Sequence, residues 1–461
     1  MAESRSTPFF SRITSRRHNA LFACIIIVAL SLDTILSNIS DVIGSRLISV
    51  WELLAFIVIV TTIFGTGQIL LQRHIQQANM ELPKKKPKRN IMHLAVKLTQ
   101  YVLIGILAFI IIQMVFSSQY YTISVIVMTT IGYFLGGIIM GVLCYRFFSW
   151  YRSNRRNVSI LLYGLAAALT SVTLAIGIIP QDFLLLEAYP SVIGLQSSVE
   201  FPTISSGLMG DLLGVLYLIA IVSYLLVWTA SAVMLRHHSQ RMGKLRYWLI
   251  ISLPLVSFLI GLTPIMLSLP VTSTYFDPGL LLFRILAISA LIANGVLFGV
   301  VFLAIARSIR SQISSSIIDY LNIAAYGVAL LYISLAANIA HGSYPPFGIA
   351  AYSFIGAASY FFMSGIYSSA ISVSTDIKIR SIIHRSALDE SKLIDNISRA
   401  SVEQEIEKKV MYIAKANLRS ITEETGVQPS LAEDDMKTYL DTVLREIKAT
   451  KTDEKDQSKK K

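Results

Sequence analysis

The sequence predicts an all-α fold: a polytopic transmembrane helix bundle of about ten spans, followed by a short cytoplasmic helical C-terminal tail. Three observations carry this expectation. Apolar residues make up 54% of the 461 and charged residues only 15%, against about 25% charged in an average soluble domain, and mean hydropathy is +0.61. The apolar residues gather into runs of more than about 18, the length that crosses hydrocarbon as a helix. Lys and Arg concentrate in alternate connecting segments, as they do when those segments stay in the cytoplasm.

The first element, residues 1–19, is a basic N-terminus carrying Arg5, Arg12, Arg16 and Arg17. The apolar run after it reads as a span, because no A-x-A-like cleavage site follows Leu36; N-terminal sequencing of the mature chain separates this reading from a cleaved signal peptide. The transmembrane region, residues 20–373, divides into spans at 20–38, 48–71, 93–116, 121–145, 158–179, 211–234, 247–269, 280–305, 316–339 and 348–373. Between them the basic residues alternate. After the N-terminus come Arg73, Lys84, Lys85, Lys86, Lys88 and Arg89; then Arg146, Arg152, Arg155 and Arg156; then Arg236, Arg241, Lys244 and Arg246; then Arg307 and Arg310. The intervening segments carry Arg46 alone, and the one holding Asp182, Glu187 and Glu200 reads as an outer loop. Missing one span would break the alternation at every later loop, so charge supports the count of ten independently of hydropathy. It also sets both termini in the cytoplasm and the chain in the cell membrane. Trp51, Trp150 and Trp248 fall near span boundaries, where amphipathic rings settle at headgroups.

After Ser374 the composition becomes charged and mixed in sign. Residues 374–450 contain two capping-box patterns, Ser401-Val-Glu-Gln404 and Ser430-Leu-Ala-Glu433, each followed by apolar residues near helical spacing. Met436, Leu440, Val443 and Ile447 make a coiled-coil-like seam. These amphipathic helices, across 401–447, are the expected contact for a cytoplasmic protein partner or for self-association. Residues 451–461 form a Lys-rich end that is expected to be disordered.

The net charge of +12 is confined to residues 1–374, while 375–461 are balanced. The basic excess therefore belongs to membrane loops, and nucleic acid is not an expected partner. The lipid bilayer is, and the Lys84, Lys85, Lys86, Lys88, Arg89 cluster suits anionic lipid. Cys24 and Cys144 sit singly in apolar runs, the seven His residues read as mostly in loops or near interfaces, and His237 and His238 are adjacent rather than at ligand spacing. No HExxH, GxxxxGK[ST] or GxSxG occurs. No catalytic, metal or cofactor residue is assigned, no cofactor is expected, and the chain does not read as an enzyme.

Charged side chains inside spans are the default functional candidates. Asp33, Glu52 and Arg284 qualify, each about 6–8 Å inside the outer boundary. Two readings stand: Arg284 pairs with Asp33 or Glu52 in an outer-facing polar site, or Arg284 snorkels while the carboxylates reach headgroup water. Asp211, Asp319 and Lys97 read as interfacial. The last span carries a softer face of Ser353, Ala357, Tyr360, Ser364, Tyr367 and Ser368, suited either to a ligand cavity or to packing by hydrogen bonds between helices. Gly132, Gly136, Gly137 and Gly141, and also Gly295 and Gly299, have GxxxG spacing and mark close helix approach. Tyr344-Pro-Pro-Phe347 is a rigid turn that sets how the last span enters the membrane.

The stretch from Tyr344-Pro-Pro-Phe-Gly348 through Ile371-Ser-Val-Ser-Thr-Asp376 to Ser401-Val-Glu-Gln-Glu-Ile406 resembles uncharacterised archaeal multi-pass membrane proteins. The resemblance covers about 344–406 and implies a grouping without a mechanism. Function is therefore read from organisation. Continuity of the last span with the tail fits a sensor or signalling-type protein. A five-plus-five division into inverted halves would fit a secondary transporter of a small solute, and a membrane scaffold without ligand is a third reading.

Overall fold

The computed structural model describes residues 8–43, 50–81, 87–153, 158–188, 192–194, 208–236, 243–266, 278–308, 315–337 and 344–375. Lys84, Lys85 and Lys86, the amphipathic segments across 401–447 and the Lys-rich end lie outside the described residues. Within them are ten helices: α1 (Pro8–Ile43), α2 (Val50–Glu81), α3 (Pro87–Ser117), α4 (Thr122–Ser153), α5 (Val158–Ala188), α6 (Leu208–Arg236), α7 (Lys244–Met266), α8 (Pro278–Ser308), α9 (Ser315–Leu335) and α10 (Ile349–Thr375). Each of the ten is long and apolar enough to cross a membrane. The all-α polytopic bundle read from the sequence is the observed fold.

Local chemistry explains the ends. Proline opens α1, α3 and α8, the helical position where a missing N–H leaves no bond unmade. α2 continues past the expected end of its span through Arg73 and His74 to Glu81, because a polar residue ends a hydrophobic run without ending a helix. α5 runs through Pro180 to Ala188. Asp182 therefore stands on a helix and not in the outer loop expected for it. Proline inside a membrane helix is tolerated when neighbours satisfy the freed backbone.

α10 lies at the centre and packs against α9, α4, α2, α1 and α3. From it one row runs through α4 and α5 to α6, another through α9 and α8 to α7, and contacts of α6 with α7 and α8 join the two rows. Aromatic side chains fill the space between the rows. Tyr163 of α5 stacks on Phe147 of α4 and meets Phe302 of α8, which lies edge-on to Phe362 of α10. Tyr224 of α6 stacks on Phe258 of α7 at 3.8 Å. At one end a two-stranded antiparallel sheet pairs β1 (Gln119–Tyr121) with β2 (Val192–Gly194), with Tyr120 opposite Ile193, tying the α3–α4 turn to the loop after α5.

Small residues set the closest approaches. A β-carbon at Gly132 would stand 2.5 Å from the Tyr352 carbonyl oxygen, and one at Gly295 would stand 2.7 Å from that of Ala329. The GxxxG spacings thus serve contacts inside this chain: Gly132 and Gly136 of α4 face α10, Gly137 and Gly141 face α5, and Gly295 and Gly299 of α8 face α9. The least apolar span is the most buried: every residue of the α10 membrane window is buried although its mean hydropathy of 1.4 is the lowest of the ten, while 22% of the α6 window is buried at 2.3. Lipid is as apolar as leucine and takes the apolar helices, whereas polar and small residues gain by facing other helices.

Candidate functional site

The polar groups of the bundle collect around α10, in an end cluster at its first turn and a second cluster along its later turns. At the first turn, Tyr344-Pro-Pro-Phe347 is wedged among α2, α3 and β1. Tyr344 stacks on Tyr120 and its hydroxyl donates to the Met114 carbonyl, while Phe347 meets Phe56 edge-on. Gly348 comes next with φ of +90°, a left-handed conformation that favours glycine, and the first helical bond runs from the Tyr352 amide to its carbonyl. Gly348 is thus the N-cap of α10 and has no side chain with which to cap.

Asp33 of α1 supplies the missing group. Its Oδ1 accepts from the Gly348 amide at 2.9 Å and its Oδ2 from the Ala351 amide at 3.0 Å. One carboxylate therefore performs both halves of a capping box, from another helix, and its charge sits at the positive end of the α10 dipole. The next turns of α1 hold the preceding helix: Thr34 Oγ1 donates to the Ile333 carbonyl and Asn38 Nδ2 to that of Ala336 at 3.2 Å, at the end of α9. Tyr352 closes the joint by donating to the Ala337 carbonyl at 2.9 Å. Three polar side chains of α1 thus fix the α9–α10 junction.

Asp33 is fully buried, while Glu52 and Arg284 are half-buried in the early turns of α2 and α8. Neither Glu52 nor Arg284 belongs to the cap that takes up both oxygens of Asp33. Beside the joint, Gln181 donates to the Tyr352 hydroxyl at 3.1 Å, Tyr352 stacks on Tyr133, and Thr130 donates to Asp182 Oδ2 at 2.9 Å. These bonds hold α5 to α10 and α4 beyond Pro180.

The predicted face of the last span is buried except at Tyr367 and divides among neighbours. Ser353 bonds its own helix, donating to the carbonyls of Ile349 and Ala350. Tyr360 hydrogen-bonds His93 Nδ1 of α3, and one turn later Ser364 Oγ lies 2.7 Å from His74 Nε2 of α2. Tyr367 is half-buried under the Arg146 guanidinium of α4, 5.1 Å from its ring centre, and Ser368 is buried. His74 also lies edge-on to Tyr320 of α9, Tyr360 and Phe361. The sequence reading puts most His residues in loops or near interfaces, whereas His74 and His93 are 1% and 6% exposed. His93 stands on a seam with Val96, Gln100, Leu103, Leu107, Ile110 and Met114, all buried at three- and four-residue steps, and that spacing is the sequence signal that marks it as inward-facing.

Among the described residues no group of three or more His, Cys, Asp or Glu is placed to hold a metal ion. The class defined by this fold is the polytopic α-helical integral membrane protein. No protein-family model, curated protein or solved structure matches the chain.

Proposed function

We propose that the chain is a membrane protein of sensor or signalling type, in which α10 carries a change in the bundle to residues 374–450 on the cytoplasmic side. The observation that supports this most is the position of α10. It touches five other helices, so a displacement of any of them reaches it, and it is the span whose sequence runs on into the charged, capping-box-bearing tail. Orientation follows the basic residues, with both termini in the cytoplasm of a cell-membrane protein. The 82–89 segment there attracts anionic lipid through Lys84, Lys85, Lys86, Lys88 and Arg89, and the amphipathic stripes of 401–447 engage a protein partner or a second copy.

A cell lacking the protein, supplied with the chain ending at Thr375, tests this. The truncated protein is expected to insert and to match the full chain in thermal stability, yet to leave the deletion phenotype uncorrected. Full correction by the inserted truncated chain would overturn the reading. The competing reading, a secondary transporter of a small solute, draws support from the polar groups buried along α10 from Asp33 to His74. Solute flux in proteoliposomes that persisted in the truncated chain and vanished in the His74→Gln variant would favour it.

A further inference from the structure

We propose that His74 and His93 form an intramembrane proton-binding site that clasps α10. The two imidazoles come from the facing ends of α2 and α3, on either side of the 82–86 connection, and both are more than nine-tenths buried. They meet α10 at Tyr360 and Ser364, one helical turn apart on one face. Both rings also flank the Tyr360 ring, at centroid distances of 6.0 Å for His74 and 5.6 Å for His93. The two histidines therefore share one tyrosine as a neighbour, and each binds α10 through a hydroxyl group.

Imidazole is the side chain whose ordinary titration falls between about pH 5 and pH 8. When Nδ1 of neutral His93 is the acceptor, the Tyr360 hydroxyl donates to it and that ring's proton lies on Nε2. A proton added at Nδ1 converts the acceptor into a donor, so the Tyr360 hydroxyl must turn round and accept. His74 acts on Ser364 by the same exchange when its Nε2 is the acceptor. Each added proton also places a positive charge on a ring that is more than nine-tenths buried beside aromatic side chains, where charging costs more than in water.

The surrounding charges oppose a second positive charge. Arg73 of α2 lies over Phe22 of α1 at 4.8 Å, Lys97 of α3 lies over Tyr101 at 5.8 Å, and Arg146 of α4 lies over Tyr367. α1 adds His18, and α9 adds Tyr320 and the carboxylate of Asp319; Asp319 and Arg307 of α8 both act electrostatically on Tyr326. Among the described residues, permanent cations thus outnumber carboxylates at this end of the bundle. The cost of charging the imidazoles therefore weakens the hold of α2 and α3 on the middle turns of α10. The clasp is present when both rings are neutral and is lost as pH falls.

This site deepens the sensor reading and rests on it only for the output; the test reads α10 itself. Hydrogen exchange of residues 355–375 is followed by mass spectrometry in the full-length protein in nanodiscs, with rates divided by the intrinsic exchange rate at each pH. Protection in the wild-type chain is expected to fall about tenfold between about pH 8 and about pH 5. In the His74→Gln/His93→Gln double variant, whose amides hydrogen-bond the same hydroxyls without titrating, it is expected to be pH-independent. Each single variant is expected to lose part of the response, which keeps the test decisive if the double variant fails to fold. Wild-type protection that stays constant across this range, or a full response in either the double variant or both single variants, would overturn the proposal. A chain ending at Thr375 that kept the α10 response while correcting the deletion phenotype would sink the sensor reading and leave the proton site standing.

Discussion

Asp33 shows what a single buried carboxylate does when backbone amides receive it. Its two oxygens bind the two amides that open α10, and hydrogen bonds to a charged acceptor contribute about 1.5–3 kcal/mol each where both partners are buried. Asp33→Ala is expected to cost about 2–4 kcal/mol, because it removes the acceptor and strands two donors away from water. Asp33→Asn retains one carbonyl acceptor and is expected to lose about half as much. Thermal unfolding of the purified variants in detergent checks both, and equal stabilities for wild type and Asp33→Ala would contradict the capping role. The sequence marks Asp33 as an expensive residue, but its partners lie 315 and 318 positions away, and no local pattern names them. His74 escapes a reading of the sequence for a different physical reason. Hydropathy drops at Gln72 and Arg73, whereas the helix continues and turns His74 back towards α10.

For the helices as elements, the closest contacts between α9 and α10 are made without side chains. A β-carbon on Gly327 would collide with the backbone of Phe361 and Phe362, and one on Gly365 would stand 2.5 Å from the Ala324 amide nitrogen and 2.7 Å from the Tyr320 carbonyl oxygen. Backbone cannot rotate aside as a side chain can, so Gly327→Ala and Gly365→Ala are expected to cost about 1–3 kcal/mol or more each. At Gly105 of α3 nothing lies within 4 Å of the place a β-carbon would occupy, and Gly105→Ala is expected to change stability by under about 0.5 kcal/mol. Melting of the three variants, monitored as the loss of monodisperse protein on size-exclusion chromatography, separates these outcomes. The GxxxG spacings are legible in the sequence as close-approach surfaces. Their partners are not, since a glycine row fits any neighbour that brings its own small residues or backbone to the seam.

The whole molecule is legible in the sequence to the extent that lipid dictates it. All ten spans fall where hydrophobic runs place them, because the backbone in hydrocarbon must close its own hydrogen bonds and a run of sufficient length leaves only the helix. The arrangement of those helices is hidden, since hydropathy measures what tolerates lipid, and the span most fully enclosed scores lowest. An even number of spans returns the chain to its starting side. Fluorescent or enzymatic reporters fused at residues 1 and 461 are expected to give the same side of the membrane, with the basic-residue rule making it the cytoplasmic one, while a tag within 195–207 gives the opposite side. Reporters that disagreed between the two termini would require a different span count. The cap on α10 also orders events in time. Asp33 leaves the ribosome 315 residues before Gly348, an interval of about 15–60 s at the usual synthesis rate of about 5–20 residues per second. Until then α1 holds a carboxylate with no helix start to receive it, among spans that have yet to gain their centre. The least apolar span arrives last, into a place the others have already outlined, so completion of this molecule is timed by translation of residue 348 and the helix it opens.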